Sequence, residues 1–381
     1  MLLEFGLKNF FCFKEGISIS FKLDSNCPSN ISHGHNFTTV LGIKGANGSG
    51  KTHALKGLAF LCEFCSDSFS NKPDDIITID SFYDNNQPSE LYAEFLIKDV
   101  TYLYELSVTE TEVKKETIYR KKGLKGKKLK IVERINNELT TGKEFAQLNA
   151  IKLRKNASLI STSHQYGFNE LDDIHTFFKY IISNVSYSGL TETPHEIGSV
   201  SKFLSNHKPI LGFIKKFISG CDTGISGIDI VKTEGINGEE EFAPIFVHLV
   251  NKKPRPITEY TESSGTKALF RNLPSYYLVL KNGGLLILDE FDVHLHPHIL
   301  PKLLQLFLDP KINKNNAQII FSTHDAEILN ILGRYRTYLV NKEDNESFAY
   351  RLDEIPGDIL RNDRPILPAY NDGKIGGIPK L

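Results

Sequence analysis

Apolar and polar residues alternate through 2–8 and 17–23, an apolar run of Val40, Leu41 and Ile43 marks 38–44, and alternation returns through 91–98, 101–109 and 115–121. This period of two, carried by β-branched and aromatic residues, predicts strands. The six are expected to form an antiparallel sheet around the loop that follows residue 44. The later three read as a meander, because only a short polar turn at Lys98 and Asp99 separates the first two of them. From about 144 to 220 the spacing turns helical, at Ile174, Phe177, Phe178, Ile181 and Ile182 and again from Phe203 to Phe217. Two shorter strands, near 227–233 and 242–250, precede a polar stretch at 251–266. The last third alternates strand 284–289, helix 297–308, strand 317–322, helix 325–332 and strand 336–341. That order implies a parallel sheet with crossover helices.

Composition adds bounds. The chain has 381 residues, 40% hydrophobic and 24% charged, the profile of a soluble globular protein with a sizeable core. It reads as one domain over 1–381. Within it, 1–125 is a β lobe holding the loop after residue 44, 144–226 is a helical insertion, and 227–381 carries the remaining motifs. A net charge of −1 gives no global field toward nucleic acid or an acidic membrane. No apolar run approaches the ~18 residues of a membrane span, and the N-terminus alternates like a strand rather than a signal segment. The five scattered cysteines, Cys12, Cys27, Cys62, Cys65 and Cys221, fit a reducing compartment, so a cytoplasmic location without membrane partners is expected. Cys62 and Cys65 lie in a helical apolar pattern without a second ligand pair, and read as core residues.

The chemistry concentrates in three places. Gly45, Ala46, Asn47, Gly48, Ser49, Gly50, Lys51 and Thr52 form a phosphate-binding loop after Val40, Leu41 and Ile43 and before the helical spacing of Ala54, Leu55, Leu58 and Leu61. In such a loop the backbone N–H groups close on the phosphates, the lysine reaches the β and γ oxygens, and the threonine hydroxyl meets Mg²⁺. Leu285 to Leu288 is an apolar run ending in Asp289 and Glu290. Asp289 would sit on Mg²⁺ and Glu290 would polarise the attacking water; alone, the pair also fits a solvated strand end. Ile319 to Phe321 repeats the layout, ending in Ser322, Thr323, His324 and Asp325. Ligands gather at the carboxyl ends of parallel strands, which would bring His324 to the γ-phosphate.

In that order, GANGSGKT, LLILDE and FSTHD resemble the ABC-type ATPase superfamily, as its Walker A, Walker B and switch histidine. The resemblance implies an α/β fold, an ABC-type P-loop ATPase with an N-terminal antiparallel β lobe, a helical insertion and a parallel-sheet Walker B lobe. It also implies ATP hydrolysis, with ATP and Mg²⁺ as cofactors. At the place of the superfamily's signature helix stands Glu262-Ser263-Ser264-Gly265-Thr266-Lys267, which departs from Leu-Ser-Gly-Gly-Gln. By resemblance Ser263 and Gly265 would meet the γ-phosphate bound to a second subunit, so a homodimer or higher homo-oligomer with composite sites is expected. Ser263 equally fits a helix N-cap. His296 stands where the following loop usually has Asp, and neither Gln147 nor Gln165 is assignable as the Q-loop residue.

The opening Leu-Lys-Asn-Phe-Phe-Cys-Phe-Lys-Glu is similar to that of the stand-alone OLD-like ATPases of prokaryotic phage defence, the PARIS-system ATPase AriA among them. So are the Ser-Ser-Gly-Thr signature, the Asp-Glu-x-x-x-x-Leu-His-Pro segment and the ending Tyr370-x-x-Gly373-x-x-Gly376-x-Ile378-Pro379. OLD proteins proper carry a Toprim nuclease after the ATPase, and the stretch after His324 is too short for one. The resemblance therefore implies an ATP-gated sensor or scaffold controlling a separate toxin or nuclease effector. The alternative is a nucleic-acid-binding SMC or repair-type ATPase. It draws on Arg120, Lys121, Lys122, Lys125, Lys127, Lys128 and Lys130 at an expected hairpin tip, where nucleic acid or a phage component could bind.

Overall fold

Two sheets meet at the helix that follows the phosphate-binding loop. The computed structural model describes residues 1–381 apart from 192–195, 222–223, 236–237, 357–358, 363 and 379–381, so Pro379 of the C-terminal pattern lies outside the described residues. The first sheet is antiparallel and seven-stranded. Its order is Ile17–Ser20, Leu2–Lys8, Ser89–Ile97, Val100–Val108, Val113–Lys122, Leu129–Ile135 and Glu138–Thr141. The meander is as expected, and extends by a further hairpin beyond residue 122. The second sheet has six strands, in the order Glu346–Arg351, Thr337–Glu343, Val40–Lys44, Gln318–Ser322, Leu285–Leu288 and Ile182–Ser183. All its pairs are parallel except the Thr337–Glu343 and Glu346–Arg351 hairpin.

The strand at 38–44 corrects an expectation. It belongs not to the antiparallel sheet but to the middle of the parallel one, between Gln318–Ser322 and Thr337–Glu343. All five residues of Val40–Lys44 are buried, as a strand covered on both faces requires. The faces serve different cores. Leu41, Ile43, Ile287 and Ile320 join the core shared with the antiparallel sheet and the Lys51–Asp67 helix. Val40, Leu286, Ile319 and Phe321 join the core beneath helices Ser264–Asn282 and Leu300–Leu308.

The 144–226 segment is divided between these cores. Leu159, Ile160, Ile174 and Phe178, from helices Leu159–Gln165 and Asp172–Lys179, pack with the first. Val200, Leu204, Ile210 and Ile214, from Ile197–Asn206 and Lys208–Ser219, pack with the second. Between the two helix pairs, Ile182–Ser183 supplies the last parallel strand.

The polar stretch after 250 also holds a strand, Lys253–Thr258, at the edge of a three-stranded sheet with Ile225–Glu234 and Glu240–Val250. Pro254 and Pro256 mask it in the sequence, and proline is confined to such edges because it cannot donate to a ladder. The expected helix at 325–332 shrinks to Ile328–Leu332. Thr323 Oγ1 accepts the Asp325 N–H and Asp325 Oδ1 accepts the Glu327 N–H, which ties up the first donors in side-chain turns.

Candidate functional site

The chain leaves the Val40–Lys44 strand at Gly45 and enters helix at Lys51. A Cβ on Gly45 would lie 2.3 Å from the Val340 carbonyl oxygen, and Gly48 and Gly50 take φ of 74° and 111°, which other residues rarely adopt. Ala46 is half-buried, while Asn47 and Gly48 form the exposed tip. The helix begins without a side-chain cap, so its first N–H groups face the loop. Ser49 is buried and its Oγ has no hydrogen-bond partner. The buried Lys51 ammonium donates to the Gly45 and Ala46 carbonyl oxygens at 3.0 and 3.1 Å. Burial holds its pKa below the ordinary lysine value, against the pull of Asp289, Glu290 and Asp292. An orphan buried hydroxyl, helix-start amide donors and a desolvated cation in one loop suit a polyphosphate.

Asp289 closes the site from the far side. Thr52 Oγ1 donates to its Oδ2 at 2.8 Å, across 237 residues of chain. The Ser322 hydroxyl donates to Asp289 Oδ1 and accepts the Glu290 N–H at 2.9 Å. A hydroxyl and a carboxylate are hard oxygen donors that fit Mg²⁺, an ion that fills its remaining positions with phosphate oxygens and water. Among the described residues no three His, Cys, Asp or Glu side chains gather to hold a metal. Cys62 and Cys65 are buried with thiol pKa values pushed up by desolvation.

Glu290 takes φ of 49°, a left-handed conformation uncommon for a residue with a side chain, and turns the chain at the strand end. His324 is exposed at the neighbouring strand end. Its N–H donates to the Asp292 carboxylate at 3.1 and 3.3 Å, and its carbonyl accepts from Lys44 Nζ at 2.8 Å. Burial, then the charge of Lys51, hold the His324 pKa below its ordinary value, against Asp292 and Glu290. The shift favours the neutral ring, which carries one N–H donor.

The structure thus brings Gly45–Thr52, Asp289, Glu290 and His324 together. It does not bring Ser263 and Gly265 to that loop. Ser263 is the N-cap of Ser264–Asn282, accepting the Thr266 N–H at 3.1 Å and donating to Thr266 Oγ1 at 2.9 Å. A Cβ on Gly265 would lie 3.0 Å from the His294 carbonyl oxygen. Among the described residues no hydrogen bond joins either to the phosphate loop. A cavity of about 330 Å³ between this helix and the strand end is lined in part by Asn184, Arg271, Asp289, Glu290 and His294.

Gln147 and Gln165 are exposed, in Lys143–Ala150 and at the end of Leu159–Gln165, off the parallel sheet. The strand beside Leu285–Leu288 ends instead at Asn184. Sequence reasoning missed Asn184, Ser322 and Lys44. Ser322 was visible as the polar residue that closes the apolar run Ile319–Phe321, whereas Asn184 lies in no motif.

A family model described as AAA domain, putative AbiEii toxin, Type IV TA system matches residues 40–330. No curated protein matches the chain. Among solved structures, the SMC head domain from Thermotoga maritima is 16% identical, with a TM-score of 0.46 over 92% of this chain and 98% of that one. A structure titled as the SmcHead bound to the C-winged helix domain of ScpA is 13% identical, with a TM-score of 0.48 over 92% and 96%. A Pyrococcus furiosus Smc head domain with an extended coiled coil, bound to the C-terminal domain of ScpA, is 12% identical, with a TM-score of 0.41 over 93% and 97%. No score reaches 0.5, so the fold assignment stands on strand order and loop geometry. These are those of an α/β P-loop domain, with an antiparallel β lobe packed on a parallel core sheet.

Proposed function

We propose, because the chain belongs to the AAA-domain family whose model matches residues 40–330, that it is an ATP-driven switch in prokaryotic defence. ATP and Mg²⁺ bind at Gly45–Thr52 and Asp289, Glu290 activates the water, and His324 contacts the γ-phosphate. The observation that carries this reading is the hydrogen bond between Thr52 and Asp289 at the mouth of a loop holding an orphan Ser49 hydroxyl. Ser263 and Gly265 stand apart from their own chain's loop, which supports a second copy completing the site and an assembly governed by nucleotide. The family description names a type IV toxin–antitoxin system, which supports a place in such a system; the separate toxin or nuclease effector rests on the resemblance to the stand-alone OLD-like ATPases. No described helix is long and apolar enough to cross a membrane.

Lys51→Ala removes a charge-assisted contact to the phosphates and is expected to weaken ATP binding by about tenfold or more. Calorimetric titration with ATP, beside light scattering with and without ATP, checks this. Wild-type affinity and assembly in the variant would remove Lys51 from the site. Cleavage of DNA or RNA by the purified protein, abolished by Glu290→Gln, would remove the separate effector.

The nucleic-acid reading has its own observation. Lys122, Lys125 and Lys127 stand exposed at the tip between Val113–Lys122 and Leu129–Ile135. The rest of the basic run is engaged: Arg120 with Glu144, Lys121 with Glu94, Lys128 with Glu105 and Lys130 with Glu133. Three free charges limit the slope of log K against log salt to about −3 on duplex DNA. Fluorescence anisotropy across a salt series is expected to give that slope if the tip binds, and Lys125→Gln with Lys127→Gln should lower it by about 2. Absent or salt-insensitive binding would leave the tip a solvated turn.

A further inference from the structure

The two-residue strand Ile182–Ser183 lies outermost in the parallel sheet, pairing Ile182 with Leu286 and Ser183 with Ile287. The ladder continues for one more bond, Asn184 N–H to the Ile287 carbonyl at 3.1 Å. There the main chain turns away. The Asn184 carbonyl accepts the Thr191 N–H at 2.7 Å, closing the hairpin of Val185–Ser186 with Gly189–Leu190. A Cβ on Gly189 would lie 3.9 Å from Thr52 Cγ2, so that hairpin rests on the start of the phosphate-loop helix.

The Asn184 side chain carries on where its backbone stops. Oδ1 accepts the Asp289 N–H at 2.7 Å, and Nδ2 donates to the Asp289 carbonyl at 3.0 Å. One primary amide thus stands in for the next peptide group of a strand that has ended. Asp289 is buried, and its backbone groups need such partners because water cannot serve them. Aspartate in place of Asn184 would lack the donor, and serine or threonine could not span both groups.

A Mg²⁺ ion held between Thr52 and Asp289 would displace the hydrogen bond that joins them. Ser322, on the carboxylate, and Asn184, on the backbone, then hold Asp289 alone. We propose that Asn184 is a positioning residue for the metal-side carboxylate, fixing Asp289 at the strand end so that the site takes Mg²⁺ at working concentrations. This rests on the reading of Asp289 as that carboxylate.

The test is a Mg²⁺ titration of ATP hydrolysis, with Mn²⁺ binding in the presence of ATP followed by electron paramagnetic resonance. Loss of such an outer partner of a metal ligand costs about 10- to 100-fold in metal affinity or activity. Asn184→Ala is expected to raise half-saturating Mg²⁺ and weaken Mn²⁺ binding by about 10-fold or more, with KM for ATP at saturating Mg²⁺ nearly unchanged. Asn184→Asp keeps the acceptor and loses the donor, and should fall between. Ser183→Ala removes a hydroxyl that, among the described residues, bonds within the turn, to the Val185 N–H and carbonyl, and should behave as wild type. If the Asn184 variants, or Asn184→Asp alone should the alanine variant not fold, respond to both ions like Ser183→Ala, the inference fails by itself. If wild type shows neither Mg²⁺-dependent hydrolysis nor Mn²⁺ binding with ATP, the reading of Asp289 fails and takes the inference with it.

Discussion

Glu290→Gln is expected to lower steady-state phosphate release by about 100-fold or more, since a positioned general base contributes roughly 10²- to 10⁴-fold. ATP binding should survive. The substitution keeps shape and size, and the contact that fixes residue 290, its N–H to the Ser322 hydroxyl at 2.9 Å, is made by backbone. Lys51, Thr52 and Asp289 keep their geometry because none depends on the Glu290 carboxylate for a hydrogen bond among the described contacts. The variant should therefore accumulate in the ATP-bound state, and an assembly that forms with ATP should persist where wild type disperses it on turnover. Phosphate release together with light scattering over time checks both halves. A wild-type hydrolysis rate would remove Glu290 from catalysis and move the search for the base to His324.

Arg134→Ala should destabilise the fold by about 3–5 kcal/mol, the cost of leaving one half of a buried ion pair uncompensated. Both side chains of the Arg134 and Glu116 pair are fully buried, with Nη1 3.4 Å from Oε2. Arg134 also donates to the carbonyls of Asn136, Ala157 and Arg154 at 2.7 Å each. Glu116 accepts from the Tyr104 hydroxyl and the Leu159 N–H. The network pins the chain from Arg154 to Leu159 against the antiparallel sheet, and Leu159 opens a helix of the core that supports the phosphate-loop helix.

Burial already raises the Glu116 pKa, and Arg134 is the first influence opposing it. Removing Arg134 raises it further. A carboxyl whose folded pKa stands above its unfolded value loses stability as pH climbs from the unfolded value through the folded one. The deficit of Arg134→Ala should thus be smaller near pH 5 than near pH 8. Urea denaturation at the two pH values measures it. Replacing both partners, Arg134→Leu with Glu116→Leu, should recover part of the loss, as apolar replacements of buried pairs often do. Equal deficits at both pH values would mean that lost backbone contacts, not the orphaned carboxylate, carry the effect.

Residues that act through local chain geometry were legible. The phosphate loop is a strand end, a turn and a helix start in one short stretch, and its glycines stand where positive φ and close packing require them. Asp289 and His324 were legible for the same reason, each a polar residue at the end of a buried apolar run. The strand at 38–44 was legible as a strand, but not as a member of the parallel sheet. Apolar spacing tells which residues are covered and leaves open which strand covers them. The basic run at 120–130 showed its charge but not the four acidic partners that claim most of it, which come from elsewhere in the antiparallel sheet and from Glu144.

By itself, then, the sequence determined that this protein has a phosphate loop, an acidic strand end and a histidine strand end, in that order. Tertiary structure alone decided that Thr52 meets Asp289 across 237 residues, that Asn184 grips Asp289 across 105, and that Ser263 stays off its own loop. The physical reason is that periodicity and turn chemistry are written into neighbouring residues. Partner choice is settled only when whole faces are buried together and every buried donor and acceptor must find a mate.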